Sequence, residues 1–202
     1  MRRLQVKNHL NSGEAFDKIF KEKKPDETDI RRWQELFKYY KGGSFIDLGC
    51  LWSYIPLWAK QKFPKDEIWG LDQAEEAILQ LAQAEPSINY TVGDVMDTQF
   101  PDNYFDYIVS GEVIEHLEDP AKFIKEAFRI LKPGGKLVLS TPREEEKGAV
   151  DEHRHLWSFS ASDIRTLCKP YMKGAKIYEI PNWLERRVKY SHPYLICLLT
   201  KK

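Results

Sequence analysis

From residue 44 onward, short apolar segments alternate with helical ones, and this alternation restricts the fold more than any other feature of the 202-residue chain. Apolar runs at 44–48, 67–71, 88–92, 107–110 and 136–140 read as strands. Helical stretches at about 53–63, 74–84 and 120–131 lie between them. Strand, helix, strand in that order predicts parallel strands joined by crossover helices. Such sheets are buried on both faces and bind ligands at the carboxyl ends of their strands. A further helix is predicted over 160–169, and two late strands over 175–180 and 194–200. The connection between those two is too short for a helical crossover, so they are expected to pair as an antiparallel hairpin.

Two helices are predicted ahead of the sheet. One covers 14–23 and ends at Lys24-Pro25. The other covers 28–41, with Ile30, Trp33, Leu36, Phe37 and Tyr40 on one face. Asp26 or Thr28 would cap its start and Gly42-Gly43 would stop it. No linker divides the chain, so 1–202 is read as a single domain.

Charge and cysteine content exclude several classes. Thirty-one Lys and Arg balance 31 Asp and Glu, so nothing electrostatic calls for nucleic acid or membrane as an obligatory partner. Cys50, Cys168 and Cys197 are odd in number and far apart, with no CxxC pair, which argues against a disulfide framework or a structural zinc site. No apolar stretch approaches the roughly 20 residues of a membrane helix. The basic start at Arg2 and Arg3 lacks an apolar signal core, so the expected compartment is the cytoplasm.

Chemistry concentrates at the predicted strand ends. The first strand runs into Asp47-Leu48-Gly49-Cys50, where a glycine permits a tight turn and close approach of backbone to ligand. Ser53 is the expected cap of the following helix, with Pro56 in its first turn. The second strand ends in Asp72-Gln73, and a carboxylate there can accept both hydroxyls of a ribose. Asp72 follows Gly49 by 23 residues, a separation suited to a nucleoside site. Gly93-Asp94-Val95 follows the third strand. The fourth leads through Ser110-Gly111-Glu112 into Val113-Ile114-Glu115-His116-Leu117-Glu118-Asp119-Pro120. Then comes Leu131-Lys132-Pro133-Gly134-Gly135, ahead of Ser140-Thr141-Pro142.

With these motifs at this spacing, the sequence resembles the class I S-adenosylmethionine-dependent methyltransferases, particularly their small-molecule and quinone-type, type 11-like branch. The likeness is good over about 44–142 and weaker to Cys168. It implies a Rossmann-like α/β sheet of about seven strands with the last antiparallel. Residues 1–43 would supply helices covering the cofactor site and 44–202 the core. It implies S-adenosyl-L-methionine as cofactor. Asp47 and Gly49, with Cys50 and Ser53, would face its methionine part. Asp72 with Gln73 would hold the ribose, Asp94 and the backbone of Val95 the adenine, and Ser110 and Gly111 would lie under the transferred methyl. The family's first motif usually has glycine where this chain has Leu51 and Ser53; Leu51 is the larger departure, because a branched side chain stands where backbone and cofactor approach.

Methyl transfer from a sulfonium needs orientation, a dry site, and a base only when the nucleophile must lose a proton. Glu115, His116, His153 and His155 are the candidates, all expected above the carboxyl edge of the sheet. A purely structural role competes at each: holding the loop for His116, a surface hydrogen bond for His153 and His155, an ordinary turn for Asp94. Trp157 and Phe159 read as packing residues. Arg143-Glu144-Glu145-Glu146-Lys147 reads as a solvated loop, and Arg186, Arg187 and Lys189 as a modest basic cluster.

The leading expectation is methylation of O or N on a small-molecule acceptor, with no metal. A second reading notes that Glu112, Glu115, His116 and His153 are similar to the metal-binding set of RNA 3′-terminal 2′-O-methyltransferases. A third is a partner subunit that keeps the fold without turnover, motivated by Leu51. A nicotinamide dehydrogenase is remote, because its fingerprint wants glycines where Leu51 and Tyr54 stand.

Overall fold

The computed structural model describes residues 1–3, 12–22, 24–143, 155–180 and 193–202. Its centre is a seven-stranded sheet in the order β4-β3-β2-β5-β6-β9-β8. The strands are β2 (Phe45–Leu48), β3 (Ile68–Asp72), β4 (Asn89–Val92), β5 (Phe105–Gly111), β6 (Leu131–Pro142), β8 (Met172–Ile180) and β9 (Tyr194–Lys201). β2 pairs in parallel with β3 and β5, β3 with β4, and β5 with β6. β9 runs antiparallel to both β6 and β8, so the predicted hairpin and the reversed last strand are both found. Away from the sheet, the short strand β1 (Arg2–Arg3) pairs with β7 (Trp157–Ser158).

Side chains alternate faces as the strand period requires. Phe45, Tyr107, Val109, Val138 and Ile196 join one core with Trp33 and Leu36 of α2 (Glu27–Phe37), Tyr40 just beyond it, and Ile55 and Ala59 of α3 (Ile55–Lys62). Ile46, Leu48, Ile108, Leu137, Leu139 and Cys197 join the opposite core with Phe123, Ile124 and Phe128 of α5 (Pro120–Ile130) and Ile164 of α6 (Ala161–Cys168). The helix α4 (Glu75–Ala84) packs on β3 and β4.

α2 begins at Asp26, whose carboxylate accepts from the amides of Thr28 and Asp29, while the Asp29 side chain returns the bond to the Asp26 amide. The helix stops at Phe37, ahead of the expected glycine stop. Tyr40 is fully buried in the turn beyond it, its hydroxyl 2.7 Å from both the Gly43 carbonyl and Asp66 Oδ2, which share its one proton. α2 thus packs on a sheet face. The nearer cover over the carboxyl end is α1 (Gly13–Glu22): a Cβ on Gly13 would lie 2.2 Å from the Gln73 carbonyl, and Asp17 accepts from the Ala77 amide at 2.9 Å. Among the described residues no helix is long and apolar enough to cross a membrane.

Candidate functional site

The strand order reverses between β3-β2 and β5-β6, and a ligand crevice is expected outside the carboxyl ends at that point. The loop after β2 is pinned to β3: the Gly49 and Cys50 amides both donate to the Leu71 carbonyl, at 2.7 and 3.1 Å. Gly49 has φ +81°, and a Cβ there would meet Val113 Cγ2 at 2.3 Å, so the loops after β2 and β5 close on each other only with glycine at this position. Leu51 takes φ +30°, a conformation L side chains rarely adopt. Its amide donates to Asp72 Oδ2 at 3.0 Å. The loop departs from ordinary backbone where the sequence departs from the glycine pattern. Tyr54, rather than Ser53, holds the cap position of α3, and Ser53 Oγ accepts from the Ile55 amide at 3.1 Å.

Asp72 is buried, and both of its oxygens serve the backbone: Oδ2 accepts from Leu51 and Oδ1 from the Ala74 amide, each at 3.0 Å. A carboxylate offers about four lone-pair positions, so with the Gln73 amide also bonded to it at least one remains for a ligand. Burial raises its pKa, and the Ala74, Leu51 and Gln73 amides oppose that rise. Asp47 is also buried; among the described residues its Oδ2 has no hydrogen-bond partner. Its pKa is pushed up to about 7 by burial, with Asp72 adding repulsion and a Ser53 hydrogen bond opposing it. A buried carboxylate oxygen without a donor is costly, and a cationic ligand group placed beside it would remove the cost. Cys50 is buried and its thiol is held neutral by burial.

The adenine-side candidates are less committed. Asp94 is exposed, and its Oδ1 accepts from the Met96 amide at 2.8 Å, the turn role weighed from sequence. Val95 is buried, and the Gly93 amide donates to the Asp72 carbonyl at 2.9 Å. Gln73 is exposed under α1. Ser110 donates to the Leu48 carbonyl at 2.9 Å, tying the β5 and β2 ends together, and Gly111 has Leu36 of α2 against it.

After β5 the chain turns at Glu112, which has φ +57°, and forms a 3₁₀ turn, Ile114–His116. The turn faces Glu112 and Glu115 differently. Glu112 Oε1 accepts from Ser140 Oγ at 2.9 Å and lies 3.9 Å from Nε of the buried Arg32, whose guanidinium also pairs with Asp29 and covers the Tyr194 ring. Glu115 is fully buried; its Oε2 accepts from Thr141 Oγ1 at 3.0 Å, and its Oε1 has no hydrogen-bond partner among the described residues. Burial and the neighbouring Glu112 push its pKa up to about 8 against the pull of His155. The Leu156 amide donates to the Glu115 carbonyl at 2.7 Å, which brings His155 over from beyond β6. His116 and His155 meet edge to face at 4.8 Å between centroids, and Phe16 of α1 packs on His116 at 5.8 Å.

Three of the four acid–base candidates therefore come together, and His153 lies outside the described residues. So do 144–147 of the charged run and Arg186, Arg187 and Lys189. Trp157 packs on the core and donates to the Leu117 carbonyl at 2.8 Å, as a packing residue would. Sequence reasoning missed Arg32 and Thr141. Arg32 shares a helix face with the buried Thr28 and Leu36, and that spacing was the one available sign.

A family profile described as "Methyltransferase domain" matches residues 46–139, the stretch that builds β2 through most of β6. The demethylmenaquinone methyltransferase of Geobacillus sp. is 27% identical over 191 residues, covering 87% of this chain and 79% of that one. The chain spans less than half of several other curated relatives, 28% of one from Mycolicibacterium smegmatis and 46% of one from Listeria monocytogenes. A chain in the complex of the Haloferax volcanii Trm112 methyltransferase activator with a methyltransferase superposes with TM-score 0.75 at 21% identity, covering 92% of this chain and 97% of that one. A Haemonchus contortus phosphoethanolamine N-methyltransferase with bound S-adenosyl-L-methionine superposes with TM-score 0.69 at 15% identity, covering 94% and 56%. Sheet order, crevice and profile together define a Rossmann-like methyltransferase domain. The profile match covers just under half of the chain, and over that stretch the chain is similar to the class I S-adenosylmethionine-dependent methyltransferases.

Proposed function

We propose that the protein transfers a methyl group to an oxygen or nitrogen of a small-molecule acceptor. The observation that carries this reading is the pair of buried carboxylates flanking the Gly49 loop, one with an oxygen that has no hydrogen-bond partner among the described residues and one with an acceptor position to spare. Asp47 Oδ2 would receive the ammonium of the cofactor's methionine part, which a buried carboxylate oxygen favours strongly. Asp72 would accept the two ribose hydroxyls while keeping its hold on Leu51 and Ala74. Gly49, Cys50 and Ser53 would line the methionine side, Gln73 the ribose, Asp94 and Val95 the adenine, and Ser110 and Gly111 the floor beneath the reacting centre.

The cofactor brings an activated methyl on a sulfonium, so the chain's own work is binding, orienting and drying the site. α1 would cover the cofactor, since Gly13 touches Gln73 and Phe16 touches His116. Where the acceptor must lose a proton, His116 is suited to take it: it is half-buried and stands beside Glu115 and His155. A small acceptor is favoured by the short connection from β6 to α6, which leaves little room for a substrate domain, and by the Geobacillus relative named for demethylmenaquinone.

Calorimetric titration with S-adenosylmethionine and S-adenosylhomocysteine, on the wild type and on Asp47→Ala and Asp72→Ala, tests this reading. Micromolar binding lost in both folded variants supports it. Wild-type affinity in either variant removes that carboxylate from the cofactor site.

A further inference from the structure

The geometry points to a metal site made by Glu115, His116 and His155, holding one divalent transition-metal ion of the zinc class with a coordination position left open. A carboxylate oxygen and one ring nitrogen from each histidine all lie within 4.8 Å of one another. The three residues come from the 3₁₀ turn after β5 and from the segment ahead of β7. They are held together by the Leu156 amide on the Glu115 carbonyl.

The independent sign of a missing ligand is Glu115 itself. Its side chain is fully buried, Thr141 satisfies Oε2, and Oε1 has no hydrogen-bond partner among the described residues. Such an oxygen normally finds a donor or a cation. Bonds of about 2.0–2.1 Å in a tetrahedral centre place ligand atoms roughly 3.4 Å apart. The three atoms would have to draw together by at most about 1.4 Å from the 4.8 Å that bounds their present separations.

The donor set selects the ion. Two imidazoles and one carboxylate suit zinc and its first-row neighbours, whereas magnesium and calcium prefer oxygen ligands throughout. Three protein ligands with a fourth position open is the pattern of catalytic rather than structural zinc. Thr141 would orient the coordinating carboxylate by its hydrogen bond to Oε2. Glu112 stands apart from the three, accepting from Ser140 and facing Arg32, and its negative charge favours a cation nearby. A role for the ion in polarising an acceptor hydroxyl rests on the methyl-transfer reading above and would stand in place of His116 as proton acceptor, since a coordinated imidazole cannot take a proton; binding of the ion does not rest on that reading.

The test uses the full chain after dialysis against a chelator. Zinc is titrated calorimetrically, and cobalt(II) is followed by its visible absorption, which reports coordination number. Binding of S-adenosylhomocysteine is measured in parallel on the same metal-free protein. One equivalent of zinc, a cobalt spectrum of four or five ligands, and at least about tenfold weaker binding in Glu115→Gln and His155→Ala are expected. Thr141→Val, which leaves all three ligands in place, should weaken binding by about 10- to 100-fold. Absence of stoichiometric binding by the wild type overturns the inference, as does binding unchanged in both Glu115→Gln and Thr141→Val. Retained S-adenosylhomocysteine binding in that case leaves the methyltransferase reading intact and isolates the failure to the metal.

Discussion

Replacing Asp72 by Asn separates two roles that one carboxylate fills. The native side chain accepts from Leu51 and Ala74, each at 3.0 Å, one bond per oxygen. Asn keeps the shape but offers one acceptor oxygen, so its NH₂ group must face one of these two backbone donors. Losing a hydrogen bond to a charged group costs about 1.5–3 kcal/mol, and the surviving bond weakens to a neutral one. Part of that loss is returned, because burial disfavours the native charge, as its raised pKa records. A net destabilisation of about 1–3 kcal/mol is expected, which for a chain of this size lowers the melting temperature by roughly 3–10 °C. The same change removes an acceptor for a ribose hydroxyl, another 1.5–3 kcal/mol or about 10- to 150-fold in cofactor affinity. Thermal melting without ligand, followed by calorimetric titration with S-adenosylhomocysteine at a temperature where the variant is folded, reads the two effects separately. An unchanged melting temperature would refute the loop-holding role. A lowered melting temperature with wild-type affinity would refute the ribose assignment and leave Asp72 a structural residue.

Gly49→Ala should destabilise by about 2–3 kcal/mol, combining the strain of a left-handed L residue with contact on Val113; adding Val113→Ala should recover only the contact part, as read from denaturant unfolding. Leu51→Gly relieves the strain at φ +30° but frees the unfolded chain by a similar amount, so melting should shift little while cofactor affinity rises; unchanged affinity would mean the leucine side chain lies clear of the ligand. Glu126 is buried, yet its bonds from Arg129 and Thr98 outweigh burial and lower its pKa to about 2. Its stabilisation is therefore complete above the ordinary glutamate range and lost as pH falls from about 4.5 toward 2, worth about 1–2 kcal/mol after solvent screening of Arg129. Unfolding at pH 7 and pH 3 should show Glu126→Gln abolishing that component of the acid loss.

The sheet was legible because each central strand is a short apolar run between turn residues, and burial on both faces demands that pattern. The two carboxylates were legible for a similar reason: a polar residue ending an apolar strand has few structural uses. The end of α2 was not, because Tyr40 keeps the helical spacing while reaching its buried place through a turn. Nor was the pairing of β1 with β7, whose two-residue strands are too short to show a period. The gathering of Glu115, His116 and His155 was half legible. The first two are adjacent in sequence, but the third arrives through one backbone bond, from Leu156 to Glu115, that no local pattern announces. Arg32 was hidden because a lone arginine on an apolar helix face looks like a solvent-facing residue until Glu112, Asp29 and Tyr194 are seen to surround it.

The reversed strand has a consequence for how the protein assembles during synthesis. β8 leaves the ribosome before β9, yet in the finished sheet β9 separates it from β6. Until β9 is made, β8 has no native neighbour and the β6 edge stays open, an aggregation-prone state for a nascent chain. Completion of the sheet therefore waits for β9 to insert between two strands made before it, and a product lacking it would keep the crevice at the ends of β2, β3 and β5 while leaving β6 and β8 without their shared neighbour.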